Sequence, residues 1–489
     1  MTKRTACIAL LFFAAIFCAA TTSASAQLTT LASFDKLDGR DPGWPAAPFV
    51  QGTNGNFYGT TAGGGPKDEG TVFEMTPAGK ISTLYSFCSR PKCTDGAVPN
   101  AGLMQATNGN LYGTTDGGGA NNFGTIFALT LAGKLTTIYS FCAQSGCSDG
   151  ANPSAGLVQG SDGNLYGTTA AGGAFGGGSV FKITPAGVLT TLASFDGTNG
   201  MDPAFGSLIQ ATDGNFYGTT INGGAYTACG GTSGCGTVFK ITPRGTLTTL
   251  YNFCALTNCT DGYEVFGGLV QGSDGNLYGT TTEGGTYGYG TVFKLTTAGR
   301  LTTLYSFDSY PDGAYPEAGL IQGTDGNFYG TTSQGGTNGV AGTVFQITPS
   351  GTLTTLYDFC SKTNCADGTG PFEGVMQATN GKFYGAAFAG GASKNCSGGC
   401  GTAFSLSMGL GPFVETRLTA GKAGSHVIIL GNNLTAATAV NFNGTPAVFA
   451  VRSATEITTT VPAGATTGFV TVSTPSGTLT SNQQFRLIP

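Results

Sequence analysis

Four short segments of apolar or alternating residues, separated by turn-forming residues, recur as a unit along this chain. In one copy, residues 156–159 lead through an Asp-Gly-Asn turn to residues 165–169, and a glycine-rich stretch then leads to residues 179–184. A Pro-Ala-Gly turn precedes the last segment, residues 189–195. β-Branched and aromatic residues fill these segments, as in strands that bury one face. No segment sustains a 3.6-residue period, so the pattern predicts an all-β protein with almost no helix.

A Tyr-Gly pair in the second segment marks seven copies of this unit. The tyrosines are Tyr58, Tyr112, Tyr166, Tyr217, Tyr278, Tyr329 and Tyr384. Their intervals of 54, 54, 51, 61, 51 and 55 residues indicate a repeat architecture, in which each unit packs against its neighbours. Seven units of four antiparallel strands predict a seven-bladed β-propeller.

The order of segments at the two ends of the repeat region predicts how the propeller closes. A fourth-segment motif opens the region at residues 28–34, ahead of any complete unit, whereas the seventh unit ends near Leu406 with its third segment. Pairing between these two segments would complete the seventh blade and remove two open sheet edges. The sequence therefore predicts a propeller over residues 27–409 that is closed by its N-terminal strand.

Both ends of the chain differ from the repeats. Lys3 and Arg4 precede an apolar run that ends in small residues, which predicts a secretory signal at residues 1–26. No later run reaches the ~18 apolar residues of a membrane helix, so we expect an exported protein that is secreted, periplasmic or held at the cell surface. Residues 412–489 contain short alternating segments without the repeat, and they predict a small immunoglobulin-like β-sandwich.

Charge and cysteine content narrow the class of protein. The formal net charge of −5 becomes −7 once the two basic residues of the signal are removed, so the chain lacks the basic surface of a nucleic-acid binder. Twelve of the 14 cysteines follow the signal and fall into close pairs, which an exported chain is expected to oxidise to disulfides. The predicted disulfides are Cys88–Cys93, Cys142–Cys147, Cys229–Cys235, Cys254–Cys259, Cys360–Cys365 and Cys396–Cys400.

Strand direction gives the predicted propeller two different faces. The turns within the first and second hairpins of each unit lie at one end, which we call the tight-turn face. The loops between second and third strands and the links between units lie at the other end, together with all six cysteine pairs, and we call this end the stapled face. Variable loops on a rigid scaffold commonly carry binding sites. The stapled face is therefore the predicted working surface.

The ordered motifs of the unit resemble a known repeat. Asp-Gly-Asn-x-Tyr-Gly-Thr-Thr, Gly-Gly, Gly-Thr-Val-Phe and Leu-Thr-Thr-Leu-Tyr-Ser-Phe are similar to the GloVer tandem repeat over roughly residues 28–408. The resemblance implies an exported bacterial protein of unassigned biochemical role. The seventh unit departs from the motif, since Lys382 replaces the turn asparagine and Ala386-Ala387 replace Thr-Thr.

The C-terminal segment resembles a second family. Residues 429–434, 440–447 and 461–464 are similar to stretches of the IPT/TIG immunoglobulin-like domain. This resemblance implies a spacer or binding module of a cell-surface or extracellular protein. Neither resemblance carries a catalytic motif onto this chain.

Acidic residues in the links are the first candidate site. Most lie eight residues before the first hydrophobic position of a first strand, and the fourth lies six residues before it. They are Asp41, Asp95, Asp149, Asp202, Asp261, Asp312 and Asp367. Carboxylates and loop carbonyls suit Ca²⁺, but Asp-Gly is also ordinary turn chemistry in which the side chain caps its own loop. The turn role is preferred, calcium stays open, and no other cofactor is expected.

Aromatic residues on the stapled face are a second candidate site, because flat rings with a polar edge suit sugar or protein recognition. They are Trp44, Phe175, Tyr226, Tyr263, Tyr287, Tyr289, Tyr310 and Tyr315. A third set is a glutamine in every first strand, which either lines a central channel or ties adjacent units together. The tie is preferred for these glutamines, which are Gln51, Gln105, Gln159, Gln210, Gln271, Gln322 and Gln377.

Catalytic chemistry has little support in the sequence. The only histidine, His426, lies outside the repeats, so a Ser-His-Asp triad cannot form among them. Glu264, Glu317 and Glu373 could pair with the link aspartates for glycoside hydrolysis. The preferred prediction is a monomeric, non-enzymatic binding or scaffold protein that presents its stapled face to a glycan or protein. A carboxylate-based hydrolase, with or without calcium, and a structural surface component are the alternatives.

Overall fold

The computed structural model of the protein describes residues 26–35, 42–45, 47–203, 205–229 and 233–488. The predicted signal up to Ser25, Asp41 and the side chain of Trp44 lie outside the described residues. Strands dominate the described ranges, which contain no α-helix, so the all-β prediction is confirmed. In these ranges no helix is long and apolar enough to cross a membrane. Short 3-10 turns occur at Pro91–Cys93, Ser145–Cys147, Thr257–Cys259, Thr363–Cys365 and Leu434–Ala436.

Each repeat unit contributes antiparallel strands to one sheet, in a propeller-like arrangement. The first strands are Val50–Gln51, Met104–Gln105, Val158–Gln159, Ile209–Gln210, Val270–Gln271, Ile321–Gln322 and Met376–Gln377. The second strands are Phe57–Gly64, Leu111–Thr115, Leu165–Thr169, Phe216–Thr220, Leu277–Thr281, Phe328–Thr332 and Phe383–Ala387. The third strands are Thr71–Met75, Thr125–Leu129, Ser179–Ile183, Thr237–Ile241, Thr291–Leu295, Thr343–Ile347 and Thr402–Ser407. The fourth strands are Ile81–Ser86, Leu135–Ser140, Leu189–Ser194, Leu247–Asn252, Leu301–Ser306, Leu353–Asp358 and, for the seventh unit, Gln27–Ser33.

The strand that opens the repeat region completes the sheet of the last unit. Gln27–Ser33 pairs antiparallel with Thr402–Ser407, in the place that the fourth strand takes in the other units. Phe57 of the first unit packs against Tyr384 of the seventh, with ring centroids 4.2 Å apart. An additional short strand, Pro42–Pro45, pairs with Phe57–Gly64 at the edge of the first sheet.

The Tyr-Gly motif recurs because both residues have defined partners. Tyr166 Oη donates a 2.9 Å hydrogen bond to Asp162 in the preceding turn, so this aspartate is a turn former as expected. At Gly167 an added Cβ would lie 2.7 Å from the ring of Phe181 and 2.8 Å from Leu157. Only glycine leaves room for Phe181 of the third strand, and for Leu157 just before the first strand, to pack against the second strand.

The two threonines after Tyr-Gly form hydrogen bonds with different parts of the molecule. Thr168 Oγ1 donates to the carbonyl of Pro203 in the next link at 2.8 Å, so it ties one unit to the following one. Thr169 Oγ1 lies 2.9 Å from Ser179 Oγ and holds the second strand to the third. In the seventh unit Ala386 takes the place of the first threonine, so this tie to a following link is lost.

Neighbouring units pack sheet against sheet through aromatic side chains. Tyr166 stacks on Phe216 of the next unit with centroids 4.0 Å apart, and Phe195 meets Phe239 edge-on at 5.1 Å. All four rings are at most 1% exposed. Burial of a side chain of this kind contributes about 1.5–3 kcal/mol. The core therefore consists of repeated layers between sheets.

Residues 415–487 form two packed sheets around a separate apolar core that includes Val427, Ile457 and Phe485. One sheet contains Glu415–Thr416, His426–Leu430, Glu456–Thr460 and Phe449–Val451. The other contains Ala420–Gly421, Gly477–Leu487, Gly468–Thr474, Ala439–Phe442 and Thr445–Pro446. The predicted β-rich C-terminal domain is confirmed, and its last strand is longer than the sequence pattern indicated.

This C-terminal domain lies against the tight-turn face. Arg417, whose side chain is 6% exposed, donates hydrogen bonds to the carbonyl of Gln51 and to Gln105 Oε1. Asn432 Nδ2 donates to Thr379 Oγ1 at 2.7 Å, and Thr455 Oγ1 donates to a turn carbonyl at 2.6 Å. A buried, hydrogen-bonded contact thus joins the domain to this face.

Candidate functional site

Four links between units are built around a disulfide and a buried aspartate. In one of them, Asp149 is fully buried and accepts hydrogen bonds from Tyr139 Oη at 2.8 Å, Ala143 N at 2.9 Å and Gln144 N at 3.1 Å. The disulfide Cys142–Cys147 closes the same loop. Asp95, Asp261 and Asp367 accept the equivalent tyrosine bonds. All six predicted disulfides are confirmed.

Hydrogen bonds to these aspartates outweigh the effect of burial. Burial raises the pKa of Asp95, but donors from Tyr85, Ser89 and backbone N–H groups bring the pKa below its ordinary value. Asp367 behaves in the same way. Such carboxylates cap their own loops. Across the described ranges, no group of three or more His, Cys, Asp or Glu is placed to hold a metal ion, and the calcium hypothesis stays a prediction.

The fourth link has a different register from the one expected. An added Cβ at Gly200, whose φ is 117°, would lie 2.7 Å from the second-strand Thr220, and one at Gly150, whose φ is 101°, would lie 2.5 Å from the equivalent Thr169. The residue before each glycine is therefore equivalent, so Asn199 takes the place of Asp149. The assignment of Asp202 to the acidic ring is wrong.

An extra residue in this link explains the difference. Ser207 separates Gly206 from Leu208, whereas the glycine and the leucine are adjacent in the neighbouring link. Counting back from the first strand therefore misses the equivalent position. Asp202 is half-buried, and burial raises its pKa despite a 3.4 Å hydrogen bond from Asn222 Nδ2.

Asp312 lies in a link without a disulfide and is less completely satisfied. Tyr305 Oη donates to its Oδ2 at 2.5 Å, whereas its Oδ1 has no partner among the described residues. Burial, followed by the neighbouring Asp308, raises the pKa of Asp312 to about 6. This link thus keeps the aspartate but not the arrangement around it.

The first-strand glutamines tie the units together. Gln105 Oε1 accepts from Thr53 N of the preceding unit at 2.9 Å, and its Nε2 donates to Gly109 O of its own turn at 2.9 Å. The bond from a backbone N–H to the glutamine Oε1 recurs between every two consecutive units. It also joins Thr379 of the seventh unit to Gln51 of the first, at 3.0 Å. These amides therefore have the preferred structural role.

A cavity of about 480 Å³ lies where the links of all seven units meet. Its walls are the last residues of the links and the first residues of the first strands. Since links lie at the stapled end of each sheet, the cavity belongs to the stapled face. Arg417 and the C-terminal domain lie at the opposite end of the first strands. We call this cavity the axial cavity.

Two carboxyl groups from consecutive links line the axial cavity. Glu317 Oε1 accepts a 2.8 Å hydrogen bond from Ser333 Oγ, whereas the carboxyl of Glu373 receives none from the described residues. Burial raises the pKa of both groups, and the neighbouring charge of Glu317 contributes to the shift of Glu373 to about 8. A like charge nearby and partial burial both disfavour the charged form of a carboxyl.

Aromatic rings occupy the same part of the wall. Phe205 and Phe266 stack with centroids 5.8 Å apart, and Phe372 meets Phe388 edge-on at 5.3 Å. The links of the first three units contribute uncharged residues only, among them Phe49. The axial cavity therefore has an acidic, aromatic side and a neutral side, a composition typical of sites for small polar ligands.

The predicted aromatic residues do not form one patch. Tyr289 and Tyr315 meet edge-on at 5.7 Å, and Tyr263 Oη donates to Glu283 at 2.5 Å close by. Glu264 also lies near Glu283, so it is separate from the cavity pair. The remaining described members are exposed on separate loops: Phe175, Tyr226, Tyr287 and Tyr310.

The phenylalanines of the cavity were not predicted from the sequence. Phe266 and Phe372 follow the link aspartate by five residues, and Phe205 follows Asn199 by six. The same position holds Asn100 in the second link, Ser154 in the third and Glu317 in the sixth. A comparison of link residues position by position would have found them, because their types change while the surrounding motif repeats.

Comparison with known sequences and structures identifies both parts of the chain. The sequence profile of the Gloeobacter/Verrucomicrobia repeat matches residues 15–229 and 225–445. That of the IPT/TIG domain matches residues 414–487. Both resemblances noted in the sequence are thereby confirmed. No curated protein matches the chain.

Solved structures show a likeness of fold. A fungal alcohol oxidase of the AA5 family, in complex with copper, has a TM-score of 0.52 at 14% identity, over 95% of this chain and 99% of that chain. A protein described as the extracellular domain of a hybrid two-component system from Bacteroides thetaiotaomicron has a TM-score of 0.48 at 12% identity, over 94% of this chain and 57% of that one. An auxiliary nutrient binding protein from Bacteroides ovatus has a TM-score of 0.36 at 14% identity, over 78% and 76%. At these identities the likeness concerns fold alone.

Proposed function

Because the chain belongs to the Gloeobacter/Verrucomicrobia repeat family and carries an IPT/TIG domain, we propose that it is an exported, non-enzymatic glycan-binding protein. The glycan end enters the axial cavity of the stapled face. The observation that carries this proposal is the convergence of Glu317 and Glu373 with Phe205, Phe266 and Phe372 in one cavity, which Phe49 also lines. Carboxyls accept hydrogen bonds from sugar hydroxyls, and aromatic rings cover apolar sugar faces.

The proposal includes a seven-bladed propeller over residues 27–409, closed by its first strand, and a sandwich over 412–489. Support comes from the pairing of Gln27–Ser33 with Thr402–Ser407 and from the glutamine bond between Thr379 and Gln51. Deleting residues 27–34 should abolish cooperative unfolding, since the seventh sheet would lose its outer strand. Circular dichroism during heating tests this against a chain lacking only residues 1–26. An unchanged transition in the deletion variant would contradict closure.

Export is supported by the six disulfides, which oxidising compartments favour. The leader predicted at residues 1–26 supplies the route. Fractionation of cells that produce the full chain should recover an oxidised protein outside the cytoplasm. Retention of the leaderless chain in the cytoplasm is the matched control.

A glycan array tests the binding function. The chain without its leader should bind a defined set of glycans, and Phe372→Ala should lose that binding because the cavity loses an aromatic wall. Tyr287→Ala is the matched control, since this tyrosine is 60% exposed on a loop outside the axial cavity. Absence of binding to every glycan, or equal loss in both variants, would overturn the proposal.

Hydrolysis of a glycoside is the second candidate function, and the pairing of Glu317 with Glu373 favours it. A carboxyl with a raised pKa can act as general acid while its partner acts as base or nucleophile. Release of reducing sugar from any glycan bound on the array would reveal this activity. Glu373→Gln should then abolish turnover while binding persists. Turnover that survives this substitution would exclude the pair as catalytic residues.

A further inference from the structure

The half-buried carboxyl of Glu373 differs from the four buried aspartates of the disulfide-containing links. Asp95, Asp149, Asp261 and Asp367 each accept hydrogen bonds from a tyrosine hydroxyl and from backbone N–H groups. Glu373 lines a cavity and accepts none from the described residues. Glu373 is half-buried, and a carboxylate that is partly withdrawn from water without a partner is disfavoured in its charged form.

No residue that lines the axial cavity within the described chain supplies a compensating positive charge. The lining contains no lysine, arginine or histidine, and Glu317 and Glu373 are its only titratable residues. The charge that acts on Glu373 is the like charge of Glu317. The described residues therefore offer the pair no cation, and one is needed if both carboxylates are to be ionised.

The rest of the wall indicates which kind of cation fits. Phe205, Phe266 and Phe372 line the same cavity as the two carboxyls. Aromatic faces attract organic ammonium groups. Calcium instead requires 6–8 oxygen ligands, and a wall of phenylalanines and glycines is a poor source of them.

Building on the proposed glycan-binding function, we infer that the ligand carries an organic ammonium group, which pairs with Glu317 and Glu373 among the three phenylalanines. The neutral side of the cavity, with Ala101 and Gly156, receives the uncharged body of the ligand. A volume of about 480 Å³ holds a head group together with a sugar-sized body. An amino sugar is the glycan class with this chemistry.

Protonation of the pair gives the inference a pH signature. The pKa of Glu373 is raised to about 8 by burial and by Glu317, so near neutral pH the pair holds a proton. A bound cation favours the ionised pair, which means that binding releases that proton. Affinity for a permanently charged ammonium ligand should therefore increase as pH rises, and level off above the pKa of Glu373.

Choline and its neutral isostere 3,3-dimethylbutan-1-ol are suitable probes, because they differ in charge at nearly constant shape. Titration calorimetry of the chain without its leader should show choline binding at least about tenfold tighter than the isostere. Choline should also bind more tightly at about pH 9 than at about pH 6. The charge of choline does not titrate, so any pH effect belongs to the protein.

Substitutions locate the effect within the molecule. Glu373→Gln should weaken choline binding and flatten its pH dependence, whereas Glu317→Gln should weaken binding with its pH dependence retained in part. Glu283→Gln is the matched control, because this acid lies beside Tyr263 and outside the axial cavity. Thermal unfolding of each variant shows that the fold is intact. Phe372→Leu, which keeps apolar volume, should weaken choline more than the isostere.

Three results would overturn the inference. The first is no detectable choline binding, and the second is equal affinity for choline and the isostere. The third is stabilisation by Ca²⁺ that Glu373→Gln removes while choline has no effect. If one of these results is obtained but neutral glycans on the array still bind in a way that depends on the cavity, the proposed function remains valid. Absence of glycan binding as well would reject both.

Discussion

The tight-turn face and the stapled face are built from the same seven units, yet they differ in how strictly the units agree. On the tight-turn face, Tyr166 bonds to Asp162, and either Asp or Asn fills that turn position in every unit. The C-terminal domain then covers part of this face through Arg417. The stapled face instead surrounds an open cavity, and its side chains vary from link to link.

The variation on the stapled face occurs on a constant backbone. Three residues after the link aspartate, or after Asn199, the chain is left-handed in the second to seventh links, with φ between 55° and 62°. These residues are Val98, Asn152, Asp202, Glu264, Tyr315 and Gly370. Their side chains share no chemistry, although this conformation costs a non-glycine residue about 1–2 kcal/mol. Side chains therefore repeat where they contact a neighbouring unit and diverge where they face solvent or a ligand.

The largest predicted effect concerns the packing that is common to the repeat units. Gly167→Ala should lower the free energy of unfolding by about 2–3 kcal/mol, because its Cβ would overlap Phe181 and Leu157. Urea denaturation measures this. Gly411→Ala is the control, since no atom lies within 4 Å of a Cβ there. Equal stability of the two variants would show that the glycine of the motif is not required for packing.

The next effect concerns the contact between the C-terminal domain and the tight-turn face. Arg417→Met should lower the free energy of unfolding by about 2 kcal/mol, because the carbonyl of Gln51 and the amide oxygen of Gln105 lose a charged donor. Thermal denaturation and limited proteolysis between the two domains check this. Arg452→Met, at an exposed arginine, should change little. If both variants resist protease like the parent chain, the contact does not hold the domains together.

A smaller effect tests the strained links of the stapled face. Val98→Asn should raise the free energy of unfolding by about 1 kcal/mol, because asparagine tolerates the left-handed conformation better than a β-branched residue. The reverse change, Asn152→Val, should destabilise and also removes a 3.0 Å bond to the carbonyl of Asp116. Chemical denaturation of both variants measures the pair. Changes of the same sign would contradict a backbone origin.

A pH-dependent effect distinguishes the axial cavity from the rest of the molecule. The pKa of Glu373 in the folded chain, about 8, lies above its ordinary value of 4.5. Its contribution to stability is therefore complete below about pH 4.5 and is lost as pH rises through about 8. Glu373→Gln should lack this loss, so its melting temperature should exceed that of the parent chain increasingly from acid to alkaline pH. Parallel curves would show that the carboxyl is not buried.

The sequence by itself determined the features that depend on contacts within one unit or between identical positions. The strand boundaries, the turn aspartates, the disulfides and the first-strand glutamines follow from short spacings. Tyr166 with Asp162 and Cys142 with Cys147 are examples. The C-terminal domain could also be predicted from the sequence, because alternating strand patterns and turn residues are local signals.

Only the tertiary structure decided which link residues meet. Glu264, Glu317 and Glu373 are all link glutamates at different offsets, but only the last two share the axial cavity, whereas Glu264 lies beside Glu283. One inserted residue also shifted the fourth link, so that Asn199 and not Asp202 is equivalent to the buried aspartates. Spacing along a repeat is nearly the same for every link. Sheet packing around the cavity brings together side chains a whole repeat apart, and that three-dimensional placement is absent from any local pattern.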